Sequence, residues 1–468
     1  MLAYGVMPPL MFGLLVVVFL VGFPVAFSLA ALGLFFGALG VVFGHFEANF
    51  LQALPLRVIG IISNDLLLAI PYFTFMGAIL ERSGLAEDLL DGTGQLFGRF
   101  PGGLAVAVII VGAILGAITG TVAASVIAMA VISLPIMIRY GYDMKLATGV
   151  IAASGTITQL IPPSLVLIVL ADQLQKPVGE MYLGATGPSL LQVLIFLLYI
   201  GALALLRPQM MPPLPEEART VRGVALAIKL VKGMVPSLAL IFLVLGTIAL
   251  GFASPTEAGA MGAVGALLIA ALYGRLTFAF VREAMATTMR ITSMVIFILI
   301  GATVFTLVFR GMDGGLWIEH LLSSLPGGQV GFLVFVNLAV FFLAFFLDFF
   351  EIAFIIIPLL APVADKLGID LVWFGVLLCV NMQTSFMHPP FGFALFYLRG
   401  IAPESVKSTD IYLGAIPWLF LQLLLVAIVI LWPETVTYWL DRGPTADPAN
   451  VPINIPAPSF QAPGGPRF

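Results

Sequence analysis

Apolar stretches of about 20 residues follow one another along almost the whole chain, separated by short polar punctuation. Runs such as "LLQVLIFLLYIGALALL" do not alternate with period two, so they predict helices rather than the roughly ten-residue strands of a membrane barrel. The opening run "MLAYGVMPPLMFGLLVVVFL" lacks a positive leader and simply continues, so it reads as a first membrane segment and not as a cleavable signal. Pro9 to Gly44 fits one tilted helix or two short ones, and the side of the N-terminus stays open with it. From Gly443 the pattern gives way to "GPTADPANVPINIPAPSFQAPGGPRF", whose prolines and glycines predict an extended or disordered tail.

One interruption is out of keeping with a chain built for lipid. "GTITQLIPPSLVLIVL", from Gly155, carries threonines, a glutamine and the pair Pro162-Pro163 inside an apolar run. Proline has no amide hydrogen and clashes with the preceding turn, so carbonyls around Thr158 to Ile161 lose their helical partners. The pair Pro389-Pro390 repeats the interruption and frees carbonyls around Thr384 to His388.

The interruptions belong to a longer repeat. Pro101-Gly102-Gly103 matches Pro326-Gly327-Gly328, Pro135 matches Pro358, and Asp143 of "YGYD" matches Asp370 of "LGID". Pro162-Pro163 matches Pro389-Pro390, and "YLGA" at Tyr182 matches "YLGA" at Tyr412. The offsets, in that order, are 225, 223, 227, 227 and 230 residues, which indicates a duplicated unit of about 100 residues.

Charge placement orients the two copies. The densest basic cluster, Arg207, Arg219, Arg222, Lys229 and Lys232, lies in 207–233 and is placed in the cytoplasm by the positive-inside rule. Two crossings later Arg275, Arg282 and Arg290 reappear on the same side, and a further crossing from Ile291 to Phe309 puts "GMDGGLWIEHLL" outside. Counting back, Arg139 and Lys145 are cytoplasmic, whereas the matching Asp365, Lys366 and Asp370 follow a segment entered from outside. The copies are therefore inverted, provided that the stretch after each Pro-Gly-Gly goes in and returns. From Leu104 that stretch is about 34 residues long, or about 51 Å as one helix, against a core of about 30 Å. A re-entrant hairpin over 104–138 with its tip at Thr119-Gly120-Thr121 fits, and 329–364 repeats it with Asp348 and Glu351 near the centre. A charge at that depth costs at least about 3 kcal/mol unless it faces protein, water or an ion. Broken helices follow over 146–171 and 371–398.

Composition agrees: 61% of the 468 residues are hydrophobic and 9% charged, where soluble chains carry about a quarter charged. The net charge of -4 with no basic stripe excludes a nucleic-acid role. The lone Cys379 rules out an internal disulfide framework and reads as a core residue. An intramembrane enzyme would need catalytic groups at depth, but no His-Glu-x-x-His or Gly-x-Gly-Asp occurs. A channel would not explain two inverted, interrupted units. Such units are the build of secondary transporters, in which unwound backbone and half-helix ends bind ions and substrate at the midplane. The predicted class is an all-α polytopic membrane protein with an inverted repeat, two re-entrant hairpins and two discontinuous helices. Freed carbonyls with Thr and Ser hydroxyls suit a hard cation such as sodium.

These motifs resemble the large membrane subunit of the tripartite ATP-independent periplasmic (TRAP) transporters, of the DctM type. "GAITGT" at Gly116 resembles its first hairpin tip, "GVIAASGTITQLIPPS" at Gly149 its first broken helix, and "VWFGVLLCVNMQTSFMHPPFGFALFYLRGIAP" from Val372 its second. The resemblance runs from about Leu10 to Leu431 and leaves out the tail. It implies sodium-driven import of an organic acid without ATP, in the inner membrane of a bacterium. It also implies two partners: a periplasmic binding protein of DctP type and a small four-helix membrane subunit of DctQ type on a separate polypeptide. An elevator mechanism is implied as well, with transport repeats over 101–188 and 326–410 sliding against scaffold helices in 1–100 and 189–310, before a last membrane helix over 411–432 and a tail over 433–468.

Carried onto this sequence, a first sodium site takes Thr119, Thr121, Ser154, Gly155, Thr158 and the Ile161 carbonyl. A second takes Asp348, Asn381, Gln383, Thr384 and the Met387 carbonyl. Ser125, Ser164 and His388 are assigned to the substrate pocket, although a packing histidine is the simpler reading of His388. Buried hydroxyls that bond back to helix carbonyls are the plain competitor for the threonines. Arg310 and Arg399 read as interfacial anchors that a carboxylate could also use. The alternative function is a stand-alone sodium/carboxylate symporter that takes substrate from solution.

Overall fold

The computed structural model describes residues 5–440, so all but the first eight residues of the tail expected over 433–468 lie outside them. The described chain is helical. It opens with α1 (Met7–Val21) and α2 (Val25–Val42), so the N-terminal run is two helices, parted at Gly22 and Pro24. Next come α3 (Ala53–Ile62), α4 (Ala69–Arg82) and α5 (Leu85–Phe97). The first repeat holds α6 (Gly103–Thr119), α7 (Val122–Arg139), α8 (Met144–Thr156), α9 (Leu165–Leu174) and α10 (Val178–Leu206). Between the repeats run α11 (Val224–Ala249), α12 (Pro255–Leu272), α13 (Phe278–Gly311) and α14 (Gly314–Ser323).

The second repeat begins with α15 (Gly328–Leu343) and α16 (Phe349–Glu351), which continues through a π-helical turn, Ile352–Ile356, into α17 (Ile357–Lys366). It ends with α18 (Leu371–Phe386), α19 (Phe393–Ile401) and α20 (Ser408–Leu431), followed by the short α21 (Glu434–Thr437). Among the described residues seven helices are long and apolar enough to cross a membrane, or nine if two bent pairs each count once.

Two expectations shift. The polar segment is shorter than 207–233, because "VALAIKLVKGMV" keeps apolar residues three and four apart and is already helix from Val224. Lys229 and Lys232 therefore extend from α11, and Lys229 ion-pairs with Asp91. The crossing expected from Ile291 starts at Phe278 instead; at 34 residues α13 is about 51 Å long, more than a bilayer core requires.

Matching sequence marks make matching local structure in both repeats. Gly102 and Gly327 occupy the N-cap position of α6 and α15 with φ of 77° and 94°. Asp143 and Asp370 cap α8 and α18, accepting from the Leu146 and Trp373 amides at 3.0 and 2.8 Å. Pro162-Pro163 and Pro389-Pro390 are both cis. Each hairpin closes on itself at equivalent places: the Leu104 amide donates to the Tyr142 hydroxyl at 3.3 Å, and the Gln329 side chain donates to the Leu367 carbonyl at 2.6 Å. Gly102 and Asp143, at the two ends of the first hairpin, also bond the neighbouring Met211 and Met210 carbonyls. Burial pushes the Tyr142 hydroxyl up to about 12, against the opposing amides of Leu104 and Ala105, so it stays neutral at the hairpin base.

Two sets of helices can be followed, and they meet along α6, which packs on α4, α5 and α11. In one, α13 packs on α2 and α4, and α12 packs on α4 and α11. In the other, α8 packs on α7 and α20, and α18 packs on α10, α15 and α20. The repeats are exchanged within this second group. Gly414 of α20 meets Lys145 and Thr148 of α8, while Gly184 of α10 meets Val372 and Val376 of α18. Both contacts run with the chain, since Gln422 then reaches Thr156 and Gln192 reaches Gln383. Because α10 turns back on α9 after three residues, α18 runs against the first broken helix. The repeats are thus inverted, as the charges predicted.

A Cβ on Gly414 would sit 2.2 Å from the Lys145 carbonyl oxygen, whereas one on Gly246 would meet nothing within 4 Å. Gly414→Ala is expected to cost about 1–3 kcal/mol and lower the thermal midpoint in detergent. Gly246→Ala should leave it unchanged or slightly raised; equal midpoints for both variants would refute the close crossing.

Candidate functional site

A cavity of about 300 Å³ opens where the four interrupted elements meet. Gly120 and Thr121 line it from the first hairpin tip, Asp348 from the second, Gln159 from the first helix break, and Phe386 and Phe393 from either side of the second break. Ile291 and Met294 of α13 complete the wall from the other helix group.

The tips are built differently. At the first, Gly120 turns the chain with φ of 64°, a conformation that residues with a Cβ rarely adopt. Thr121 then sits at the N-cap of α7 without a side-chain cap bond. Thr119, buried, bonds the Ser125 hydroxyl at 2.7 Å across the turn. At the second tip Asp348 accepts from the Glu351 amide at 2.9 Å, and the Glu351 carboxylate accepts from the Asp348 amide at 2.8 Å. This capping box satisfies the first amides of the arm from within.

The first broken helix presses on the hairpin above it. Gly112 and Gly116 of α6 leave room for Ser154 and Thr158, whose hydroxyls donate to the Ile151 and Gly155 carbonyls at 2.9 Å each. Each hydroxyl oxygen keeps lone pairs for a cation. The structure brings Thr119, Ser125, Ser154, Gly155 and Thr158 into one buried region. Ser164 is committed elsewhere: it donates to the Gln159 carbonyl at 2.6 Å and accepts from the Val166 amide at 3.1 Å, which caps α9. Ile161 lies at the break, half-buried.

In the second repeat Asn381 donates to the Asn337 carbonyl at 2.7 Å, and Thr384 donates to the Asn381 carbonyl at 2.6 Å. Met387 opens the break, with its amide on the Thr384 carbonyl. The side-chain oxygen of Gln383 accepts from Gln192 of α10 at 2.6 Å, and Gln383 is not among the residues that line the cavity. His388 does not line the cavity. Its ring stacks on Phe345 at 4.2 Å between centroids and meets Phe341 edge-on, the packing reading of that residue. Arg399 donates to the Val406 carbonyl at 2.8 Å, while Arg310 lines a polar pocket with Asp172 and Asp365 away from the cavity.

Sequence reasoning passed over four polar residues here. Gln159 and Tyr397 line the cavity, and Gln159 is 3% exposed with its side-chain oxygen unpartnered. Asn337 and Ser385 are buried with unpartnered oxygens. The available signal was isolation: Asn337 is the one polar residue in "FLVFVNLAVFFL", and Asn337–Asn381 occupies the place that Gly112–Ser154 holds in the first repeat.

Two inverted repeats whose broken helices and hairpin tips converge on one cavity, with α13 completing its wall, define a secondary transporter. A model of the family described as the tripartite ATP-independent periplasmic transporter, DctM component, matches residues 12–435. The chain belongs to that family, a multi-pass protein of the bacterial inner membrane. The C4-dicarboxylate TRAP transporter large permease protein DctM of Vibrio cholerae is 30% identical over 93% of this chain and 98% of its own. Its counterpart in Pseudomonas aeruginosa is 29% identical over 85% of this chain and 91% of its own. The isethionate TRAP transporter permease protein DctMQ of Oleidesulfovibrio alaskensis is 26% identical over 90% of this chain but only 65% of its own. The solved YdaH transporter of Alcanivorax borkumensis shares the fold, with a TM-score of 0.59 at 16% identity over 83% of this chain and 90% of its own.

Removing Gln192 would strand the buried amide of Gln383. Gln192→Leu is expected to cost about 1–3 kcal/mol, and Gln192→Leu with Gln383→Leu should recover much of it. Thermal melts of the four proteins measure the coupling; strictly additive losses would show that the two amides do not act together.

Proposed function

We propose that this chain is the large permease subunit of a sodium-coupled importer of an organic acid, in which a periplasmic binding protein delivers the acid and a small membrane subunit completes the permease. The cavity at the joint of both tips and both breaks carries this reading, because its wall is shared between the repeat group and α13. A site split in that way changes its exposure when one helix group slides past the other, which is the elevator mechanism. Family membership supports the tripartite assembly, and the longer DctMQ relative is consistent with a permease fused to its small subunit.

The first sodium site is proposed at Thr119, Thr121, Ser154, Gly155, Thr158 and the Ile161 carbonyl, where oxygen-rich backbone and hydroxyls meet beneath the first tip. The second is proposed around Asp348, Asn381, Thr384 and the Met387 carbonyl. In that set Gln383 serves from the outside, holding α18 to α10. Asn337 joins it as a further oxygen, since it already accepts from Asn381 and keeps its side-chain carbonyl unpartnered.

Uptake into proteoliposomes tests the reading. It should require an inward sodium gradient and both partner proteins, and Thr121→Ala and Thr384→Ala should each raise the half-saturating sodium concentration while the protein stays folded. Uptake by this chain alone would move it to the stand-alone symporters, and unchanged sodium dependence in both variants would remove the ion sites.

The sliding motion has its own test. Asn64, ahead of α4, donates to Asp172 at the end of α9 at 3.0 Å, joining the two helix groups. Cross-linking cysteines placed at these two positions should arrest uptake, with recovery on cleaving the linker. Full uptake by completely cross-linked protein would rule out sliding along this seam.

A further inference from the structure

A second cavity, of about 320 Å³, lies toward the outer end of α13, on the seam that the Asn64–Asp172 bond crosses. Arg57 enters it from α3 and Arg310 from α13, while Asp172 and Gln173 close it from α9 and Phe354 from the π-helical turn of the second hairpin. Arg310 stands one residue before the end of α13, which the charge pattern places outside.

The charges in this cavity do not balance. Two guanidiniums share the lining with one carboxylate, and that carboxylate is engaged on both oxygens: Asp172 accepts from Asn64 at 3.0 Å and from Gln173 at 2.8 Å. Among the described residues neither the Arg57 nor the Arg310 side chain makes an ion pair or a hydrogen bond. An adjoining cavity of about 610 Å³, which shares Arg310 and Asp172, adds Lys176 and Asp365, one charge of each sign, so the excess stays positive. An interfacial anchor needs only lipid headgroups, whereas these two arginines line one cavity together with side chains of the broken helix and the hairpin.

The outer cavity is separate from the central one. The two have no lining residue in common. Phe350 lines the central cavity and Phe354 the outer one, and their rings stack at 6.3 Å between centroids, so one pair of rings takes part in both walls.

We propose that the outer cavity is a second ligand site, which takes a small carboxylate on Arg57 and Arg310 and needs no sodium to do so. A guanidinium presents N–H donors in a planar fork that matches a carboxylate. The apolar wall at Phe354 lowers the local dielectric and strengthens the attraction. No cation has to accompany the acid, because the uncompensated charge is already positive, and a dicarboxylate has one group for each arginine. An acid held there lies on the side from which cargo is proposed to arrive; that use rests on the transporter reading, whereas the binding does not.

Thermal midpoints of the purified full-length permease test this without sodium, in a titration with choline succinate against choline chloride at equal ionic strength. Succinate should raise the midpoint saturably, and Arg57→Gln and Arg310→Gln should each raise the half-saturating concentration roughly tenfold or more. Both side chains are exposed and unpaired, so the substitutions should leave the midpoint without succinate unchanged. Asp172→Asn should lower the half-saturating concentration, since it removes the opposing charge. Arg99→Gln, at an exposed position that lines neither cavity, removes the same charge as the arginine variants and should leave half-saturation as it was. No saturable rise without sodium, or an equal loss in Arg99→Gln, would overturn the proposal. A rise that needs sodium and survives both arginine substitutions would put the acid in the central cavity, overturning this site and supporting the transporter reading. Sodium-free, arginine-dependent binding by a permease that takes up no acid with its partners would keep this site and remove the transporter reading.

Discussion

A backbone amide or carbonyl with no partner has no water to turn to in hydrocarbon, and everything in this protein follows from where the chain can be interrupted under that rule. The interruption at 160–164 is largely buried among other helices, that at 387–392 is buried at Met387 and Gly392 but exposed at Pro390 and Phe391, and both are largely satisfied locally. Ser164 closes the first by holding the Gln159 carbonyl and the Val166 amide together. At the second the Gly392 amide returns to the His388 carbonyl at 2.7 Å, with the His388 ring stacked on Phe345. The start of α7, which carries no side-chain cap, faces the cavity.

Enclosing two such breaks requires helices that stay continuous beside them, and the repeats supply these to one another. Gln192 of α10 reaches Gln383 of α18, and Gln422 of α20 reaches Thr156 of α8, both buried. Gln192 and Gln422 are 230 residues apart, the offset of the two "YLGA" segments that begin α10 and α20. Each repeat therefore guards the other's break, and the cavity between them can be shared without either broken helix facing lipid on its own.

Much of this architecture was legible in the residues, because its marks are local. Pro-Gly-Gly, the capping Asp143 and Asp370, and the paired prolines announce element boundaries wherever they stand, and their common offset reveals the duplication. The hairpins were legible from length and charge together. The partners across the repeats were not. Gln192 and Gln383 are single polar residues in apolar helices, and nothing near either one names the other. The hydroxyls under the first tip were named through the resemblance, whereas Gln159 and Tyr397, which line the cavity from separate elements, were not. Gln383 was assigned to the ion by the resemblance, while in space its side-chain oxygen takes a bond from Gln192 of α10. The start of α11 was misjudged because charge was weighed above helical spacing.

The exchanged packing also sets an order of assembly. Thr156 and its partner Gln422 are 266 residues apart, so α8 leaves the ribosome long before α20 exists to cover it. At a synthesis rate of about 5–20 residues per second, that interval is roughly 13–53 seconds. During it Gly149 lies uncovered and the Thr156 hydroxyl, bonded to the Ala153 carbonyl of its own helix, still lacks the donor that Gln422 brings. The first repeat is thus no independent folding unit, although it looks like one in the sequence. Its completion waits for α20, and a chain truncated before α20 would be left with an unfinished first half rather than a missing second one.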